Sequence, residues 1–142
     1  MIYPSNTATW EIIAKQGYIK ISLPLKTVSE SNNHDHWTKK HARHKKQKQI
    51  VSFALHSTNL TIPPPCSIIL TRIAPRQLDY DNLLSSFKWI LDSVCDFIIP
   101  GLLPGRADSD PRLTITYSQQ KTLPKQYGIQ IEIIQKTQIL LT

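Results

Sequence analysis

The sequence is poor in cysteine and glycine and has no long apolar run, and each shortage excludes a class of protein. Cys66 and Cys95 lie far apart, with no CxxC pair and no zinc-ligand spacing, so we expect buried free thiols. None of the four glycines belongs to a Gly-rich phosphate loop. No apolar run approaches the roughly 20 residues of a membrane helix, and the first residues lack the features of a signal peptide. These absences predict a cytoplasmic, reduced protein with no membrane segment.

The charges that are present have an uneven distribution. The 142 residues suffice for one domain, and a net charge of +7 favours an acidic partner, usually nucleic acid. No acidic residue occurs between Thr38 and Ile62, whereas six of the ten acidic residues are aspartates in the next third of the chain: Asp79, Asp81, Asp92, Asp96, Asp108 and Asp110. A basic surface with a separate acidic centre suits an enzyme that holds a polyanion and cuts it with a metal, since carboxylates near phosphates would hinder simple binding.

Hydrophobic periodicity predicts an α/β (α+β) fold: a small mixed β-sheet of about four strands with two main helices in a single domain. We place the domain at residues 18–142 and treat residues 1–17 as an N-terminal extension, in which residues 10–14 favour neither helix nor strand. Alternating isoleucines at 129, 131 and 133 predict one buried and one exposed face for the last strand. The strands are predicted at 18–23, 66–73, 113–119 and 127–134, and the helices at 37–55 and 82–97.

The first half of the predicted helix 37–55 is almost wholly basic and polar. Packing against a core does not explain such a segment. It is either a solvated extension or a surface that faces phosphates, and the single sign of charge favours phosphates. Its histidines, His41 and His44, could share a helix face with a metal, but neighbouring lysines would repel a cation. We therefore expect the imidazoles of residues 34, 36, 41 and 44 to donate to phosphates or to remain hydrated.

Two carboxylates, Asp79 and Asp81, lie between a predicted strand and a predicted helix. In an extended segment, side chains two residues apart point to the same side, so both could hold a hard divalent cation through oxygen ligands. The alternative is a strand–helix junction in which Asp81 or Asn82 is the N-cap and Asp79 has no structural role. A second Asp-x-Asp pair, Asp108 and Asp110, follows in a turn.

The order of these parts resembles the RusA-type Holliday junction resolvases, small endonucleases of bacteria and their prophages. The resemblance covers residues 18–134, and its most specific piece is Asp-x-Asp-Asn-Leu at residues 79–83. An Asn-rich loop at 31–37 and the basic helix precede that piece, and the acidic turn follows it. The resemblance implies a homodimer that binds four-way DNA junctions by their shape. It also implies paired, Mg²⁺-dependent nicking in recombination and repair, with Mn²⁺ as a substitute.

Carried over residue by residue, the resemblance implies a catalytic metal site of Asp79, Asp81 and Asp110, with Asp108 as the alternative third ligand. The family has a lysine four residues after the second aspartate, where this chain has Ser85. Lys88, three residues further on, becomes the candidate for charge stabilisation in the transition state. The residues that we predict to contact DNA are Asn33, Lys39, Lys40, Arg43, Lys45, Lys46, Lys48, Arg72, Arg76 and Lys121.

Three alternatives remain open at this point. Ser85 favours a degenerate family member that binds branched DNA without cutting it. The same carboxylates would also suit a nuclease that acts on RNA or on other nucleic-acid structures. Finally, the aspartate pair would have no catalytic role in a structural protein where it merely caps a helix.

Overall fold

The computed structural model describes residues 10–31, 34–102 and 107–136. The predicted mixed α+β fold in a single domain is confirmed, with five strands and three α-helices in these ranges instead of about four and two. The elements in chain order are β1 (Glu11–Lys15), β2 (Tyr18–Leu23), α1 (Trp37–His56), β3 (Cys66–Ala74), α2 (Tyr80–Ser86), α3 (Lys88–Ile98), a 3-10 turn (Ala107–Ser109), β4 (Leu113–Lys121) and β5 (Gly128–Gln135).

The five strands form one sheet in the order β1-β2-β5-β3-β4. Neighbouring strands are antiparallel except for β3 and β4, which run parallel. The predicted alternation in β5 is confirmed, because Ile129, Ile131 and Ile133 are fully buried, and the last two pair with Ile21 and Ile19 of β2. Each such isoleucine contributes about 2 kcal/mol through its removal from water.

Helices α1 and α3 pack against each other and close the core over the sheet. Val51, Ala54 and Leu55 of α1 are fully buried, and all three lie in the second half of that helix. The basic first half contributes no apolar side chain to the core, as the sequence predicts. The amphipathic helix α3 buries Ile90 and Val94 completely. The core therefore fixes α1 by its C-terminal half and leaves its basic half on the surface.

The structure differs from the sequence prediction at two elements. Residues 11–15, which we assigned to an N-terminal extension, form β1 and pair with β2 through a turn at Gly17, whose φ of 78° favours glycine. The predicted helix 82–97 begins earlier, at Tyr80, and is interrupted at Phe87. Phe87 is fully buried with φ −101° and ψ 0°, so its side chain packs into the core while its backbone leaves helical geometry.

Two further expectations concern cysteine and membranes. Cys66 and Cys95 are free and buried, as predicted, and burial raises the pKa of Cys95 to about 12. A thiol with such a pKa stays protonated at neutral pH and is therefore a poor nucleophile. Within the described ranges, no helix combines the length and the apolar character needed to cross a bilayer.

Candidate nucleic-acid interface

The first turn of α2 holds the two carboxylates of the Asp-x-Asp pair. Asp79 is the N-cap: its Oδ1 accepts a hydrogen bond of 3.0 Å from the backbone N–H of Asn82. The prediction that Asp81 or Asn82 caps the helix and that Asp79 has no structural role was wrong, because the helix begins at Tyr80. Asp81 lies in the first turn, where a negative charge is favourable near the helix N-terminus. Both aspartates are exposed.

A glutamine of β4 fixes the segment that leads into α2. The backbone N–H of Leu78 donates to Oε1 of Gln119, and Nε2 of Gln119 donates to the carbonyl of Leu78, both at 2.8 Å. The side-chain amide thus pairs with the backbone as a neighbouring strand would. Since Gln119 is in register with Arg72 of β3, the sheet itself sets where Asp79 begins the helix.

The polar loop before α1 is tied to the same helix start. The hydroxyl of Ser29 donates to Oδ1 of Asn82, and that of Ser31 donates to the same oxygen at 3.0 Å. The backbone N–H of Ser31 donates to the hydroxyl of Ser85 at 3.2 Å. Ser85, which stands where the resolvase family has lysine, therefore belongs to a serine cluster and supplies no positive charge. The predicted DNA contact Asn33 lies outside the described residues.

An ion-pair network anchors this loop to α1. Arg43 donates from Nε and Nη2 to the two carboxylate oxygens of Glu30, at 3.0 and 2.9 Å, and from Nη1 to Asp35 at 3.0 Å. Burial acts to raise the pKa of Glu30, but the hydrogen bonds from Arg43 and the nearby His44 hold it below its ordinary value. Two carboxylates therefore neutralise Arg43 within the protein, and this predicted DNA contact already has intramolecular partners.

The other basic residues of α1 are more accessible. Lys39, Lys45 and Lys46 are exposed, whereas Lys40 and Lys48 are half-buried. Lys39 alone of these comes near an acid in the described ion pairs, with Nζ 3.8 Å from Asp35. We expect little neutralisation from a single long, exposed pair.

Lys88 and Lys48 converge on Trp89, a residue that the sequence analysis did not single out. Their Nζ atoms lie 5.2 and 5.9 Å from the centroid of the Trp89 ring, within the range of cation–π attraction. The imidazole of His44 stacks on the same ring, with 4.2 Å between centroids. The break at Phe87 makes Lys88 the first residue of α3 instead of a continuation of α2. Its described contacts lie within its own helix: the Trp89 ring and the charge of Asp92.

The acidic turn does not complete a metal site. Arg112 donates to both carboxylate oxygens of Asp110, from Nε at 3.0 Å and from Nη2 at 2.9 Å, and these hydrogen bonds hold the pKa of Asp110 at about 2. Asp108 is exposed in the 3-10 turn. Among the residues that the structure describes, no three histidine, cysteine, aspartate or glutamate side chains form a group that could hold a metal ion. Asp79, Asp81 and Asp110 are all described, so the ligand set that the resemblance implies is not gathered around one point.

The remaining predicted DNA contacts differ in their accessibility. Arg76 and Lys121 are exposed, but Arg72 is only 8% exposed. Its Nε donates to the hydroxyl of Thr27 at 3.2 Å and its Nη1 to the carbonyl of Arg76 at 2.7 Å. A cavity of about 400 Å³ borders Arg72, and Lys26 and Lys125, which the sequence analysis missed, also line it.

No protein-family model matches this sequence, and no curated protein matches it.

Proposed function

We propose that this protein is a structure-selective endodeoxyribonuclease of the RusA type, which acts on four-way DNA junctions as a homodimer. The observation that carries the proposal is the start of α2, where Asp79 and Asp81 are exposed. Gln119 fixes the backbone just before them and the serines fix Asn82 just after them. Asp79 alone caps the helix; Asp81, whose charge also suits the helix N-terminus, adds a second exposed carboxylate to the same turn, next to the cation-lined cavity that reaches Leu78.

The basic half of α1 supports the binding part of this proposal. Lys39, Lys45 and Lys46 are exposed, this half of the helix contributes no apolar side chain to the core, and it carries no acidic residue. Such a surface attracts the phosphates of DNA without reading sequence. A homodimer with two-fold symmetry would present two equivalent sites to a junction that has two-fold symmetry itself.

The Mg²⁺ that this activity implies, or Mn²⁺ in its place, requires oxygen donors. Asp79 and Asp81 could offer such donors, but the third carboxylate, Asp110, is engaged by Arg112. As they lie, the described donors do not fit a complete ion site, and we derive no step through the ion. On this proposal the chain's own residues hold phosphates and present two carboxylates to the scissile region, and Lys88 stays a candidate for charge stabilisation.

A second candidate function is binding to branched DNA without cutting. The Asp110–Arg112 pair favours it, because that pair occupies the expected third ligand. Ser85 also favours binding without cutting. It stands where the resolvase family has a lysine, and it hydrogen-bonds within the serine cluster instead of supplying a positive charge. The exposed Asp79 and Asp81 would then serve only the start of α2.

The two candidates separate in a nicking assay on a synthetic four-way junction with Mg²⁺ or Mn²⁺. We expect the wild type to nick paired strands, and Asp81→Asn to lose about 100-fold or more in rate, as when one charge-stabilising group is removed. Binding without metal should be equal or tighter in Asp81→Asn, because a charge that repels phosphates is gone. Glu11→Gln, an exposed acid on β1, is the matched control and should cut like the wild type.

Each contrary outcome has a definite meaning in this assay. Junction binding by the wild type without nicking in either metal would exclude the endonuclease and leave the binder. Full nicking by Asp81→Asn would exclude a catalytic role for that carboxylate. If the wild type does not bind the junction at all, both candidates are wrong.

A further inference from the structure

A cavity at the end of β3 has an unusual lining. It has a volume of about 400 Å³ and extends to Leu78, the residue before Asp79. Four cationic side chains line it, and none of its described lining residues is acidic: the cations are Lys26, Arg72, Arg76 and Lys125. Four positive charges around one concavity repel one another, so an anion bound there would relieve that repulsion.

Arg72 is the strongest indication that an anion belongs in this cavity. Its side chain is more than nine-tenths buried, and its two described acceptors, the Thr27 hydroxyl and the Arg76 carbonyl, are both uncharged. Buried arginines are normally paired with a carboxylate, because an unpaired buried charge is costly. Nη2 has no acceptor among the described residues, and the Arg72 side chain lines the cavity. The guanidinium therefore keeps one nitrogen available to a ligand in the cavity.

The rim of the cavity adds exposed cations to this buried one. Lys26 is exposed, and its Nζ lies 4.6 Å from the centroid of the Tyr127 ring. Lys125 is exposed in the turn between β4 and β5 and has a φ of 64°, a conformation that glycine or asparagine adopts more easily. These two lysines come from segments far apart in the chain and meet Arg72 of β3 at one opening.

We propose that this cavity binds one phosphate group, with the Arg72 guanidinium as its fixed donor and Lys26, Arg76 and Lys125 as cations at the rim. A planar guanidinium matches phosphate oxygens in geometry, and the lysines add charge without strict orientation. The assignment of that phosphate to a DNA backbone rests on the proposed function. Because Leu78 lines the cavity, a phosphate held there would place the next stretch of DNA beside Asp79 and Asp81.

The test uses inorganic phosphate as the probe, at constant ionic strength with chloride as the balancing ion. We expect phosphate to raise the Tm of the wild type, with a stabilisation that grows as the logarithm of its concentration above Kd, because a ligand that binds only the folded state stabilises it. The double variant Lys26→Gln/Lys125→Gln should raise the apparent Kd for phosphate by about tenfold or more. Both lysines are exposed, so this variant should fold.

Lys15→Gln is the matched control, since Lys15 is also exposed and also lies over a tyrosine ring, that of Tyr18. It should bind phosphate like the wild type. Equal responses to phosphate and chloride in the wild type, or equal weakening by the control and by the double variant, would overturn the proposal.

A competition arm distinguishes a DNA phosphate from a free anion. If the cavity takes the backbone, phosphate at saturating concentration should weaken junction binding by the wild type and have much less effect on the double variant. Saturable phosphate binding that leaves junction binding unchanged would reject DNA as the source and assign the cavity to a small phosphorylated ligand. If the junction does not bind at all, the proposed function fails, whereas phosphate binding alone still decides whether the cavity is an anion site.

Discussion

Asp92 is a buried carboxylate whose environment disfavours its charge. It is 8% exposed on α3, and burial, followed by the charges of Asp108 and Asp96, raises its pKa above the ordinary value. Lys48 of α1 and Lys88 of α3 act in the opposite direction but do not outweigh these effects. The folded state therefore binds the Asp92 proton more tightly than the unfolded chain does. This group lowers stability as the pH rises from the unfolded pKa through the folded one.

We therefore expect Asp92→Asn to raise the Tm by a few degrees at pH 7, since it removes a buried charge and keeps the shape of the side chain. The gain should shrink as the pH falls from the raised pKa of the folded state towards the ordinary aspartate pKa of 3.8, and it should vanish below that value, where both states carry the proton. Thermal unfolding followed between pH 3 and 7 measures this, with Glu11→Gln as the control for loss of one exposed carboxylate. A lower Tm for Asp92→Asn at pH 7 would mean that the charged carboxylate stabilises the fold.

The sequence predicts where some single residues lie, but it does not predict the environment of others. Asp79 and Asp81 could be placed at a strand–helix junction, because the change from period two to helical spacing marks it. The choice of cap was wrong by two or three residues, since helix boundaries depend on backbone geometry that periodicity does not encode. The burial of Arg72 and the pairing of Asp110 with Arg112 depend on turns and on sheet order. Neither could be inferred from residue type.

At the scale of elements, the contact between β4 and the start of α2 depends on one side chain. Gln119→Ala removes both hydrogen bonds to Leu78, and each is worth about 1 kcal/mol. We expect a lower Tm and faster amide hydrogen exchange over residues 78–83, because the segment is no longer held to the sheet. Gln120→Ala, an exposed neighbour on the same strand, is the control. Unchanged exchange in Gln119→Ala would show that this clamp does not hold the helix start.

The elements themselves were largely predictable, and the exceptions have physical causes. The strands β2, β3, β4 and β5 follow the alternation or β-branched content of their sequences, and α1 begins at the predicted residue. β1 could not be assigned because each of its residues is exposed, so burial imposes no pattern on it. The break at Phe87 was missed since Leu83, Ile90, Leu91 and Val94 continue the same apolar spacing through it.

At the scale of the whole molecule, the sequence predicted a basic region but not the second cationic surface. The lysines of α1 are adjacent in the chain, so charge counting finds them. The cavity around Arg72 combines residues 26, 72, 76 and 125, which only the sheet order β2-β5-β3 brings together. The proposed DNA path therefore has two cationic regions with the start of α2 as a third element, and each region can be tested by itself.

The basic half of α1 should determine the salt dependence of DNA binding. Lys45 and Lys46 are exposed, and the described ion pairs include neither of them. Each phosphate contact contributes about −0.9 to the slope of log K against log salt concentration.

Lys45→Ala/Lys46→Ala should therefore weaken junction binding and make the slope shallower by up to about 1.8. Lys15→Ala/Lys20→Ala removes the same charge from β1 and β2 and should leave the slope nearly unchanged, because neither lysine belongs to the proposed DNA contacts. Equal slopes for the two double variants would show that α1 acts only through net charge and does not contact DNA.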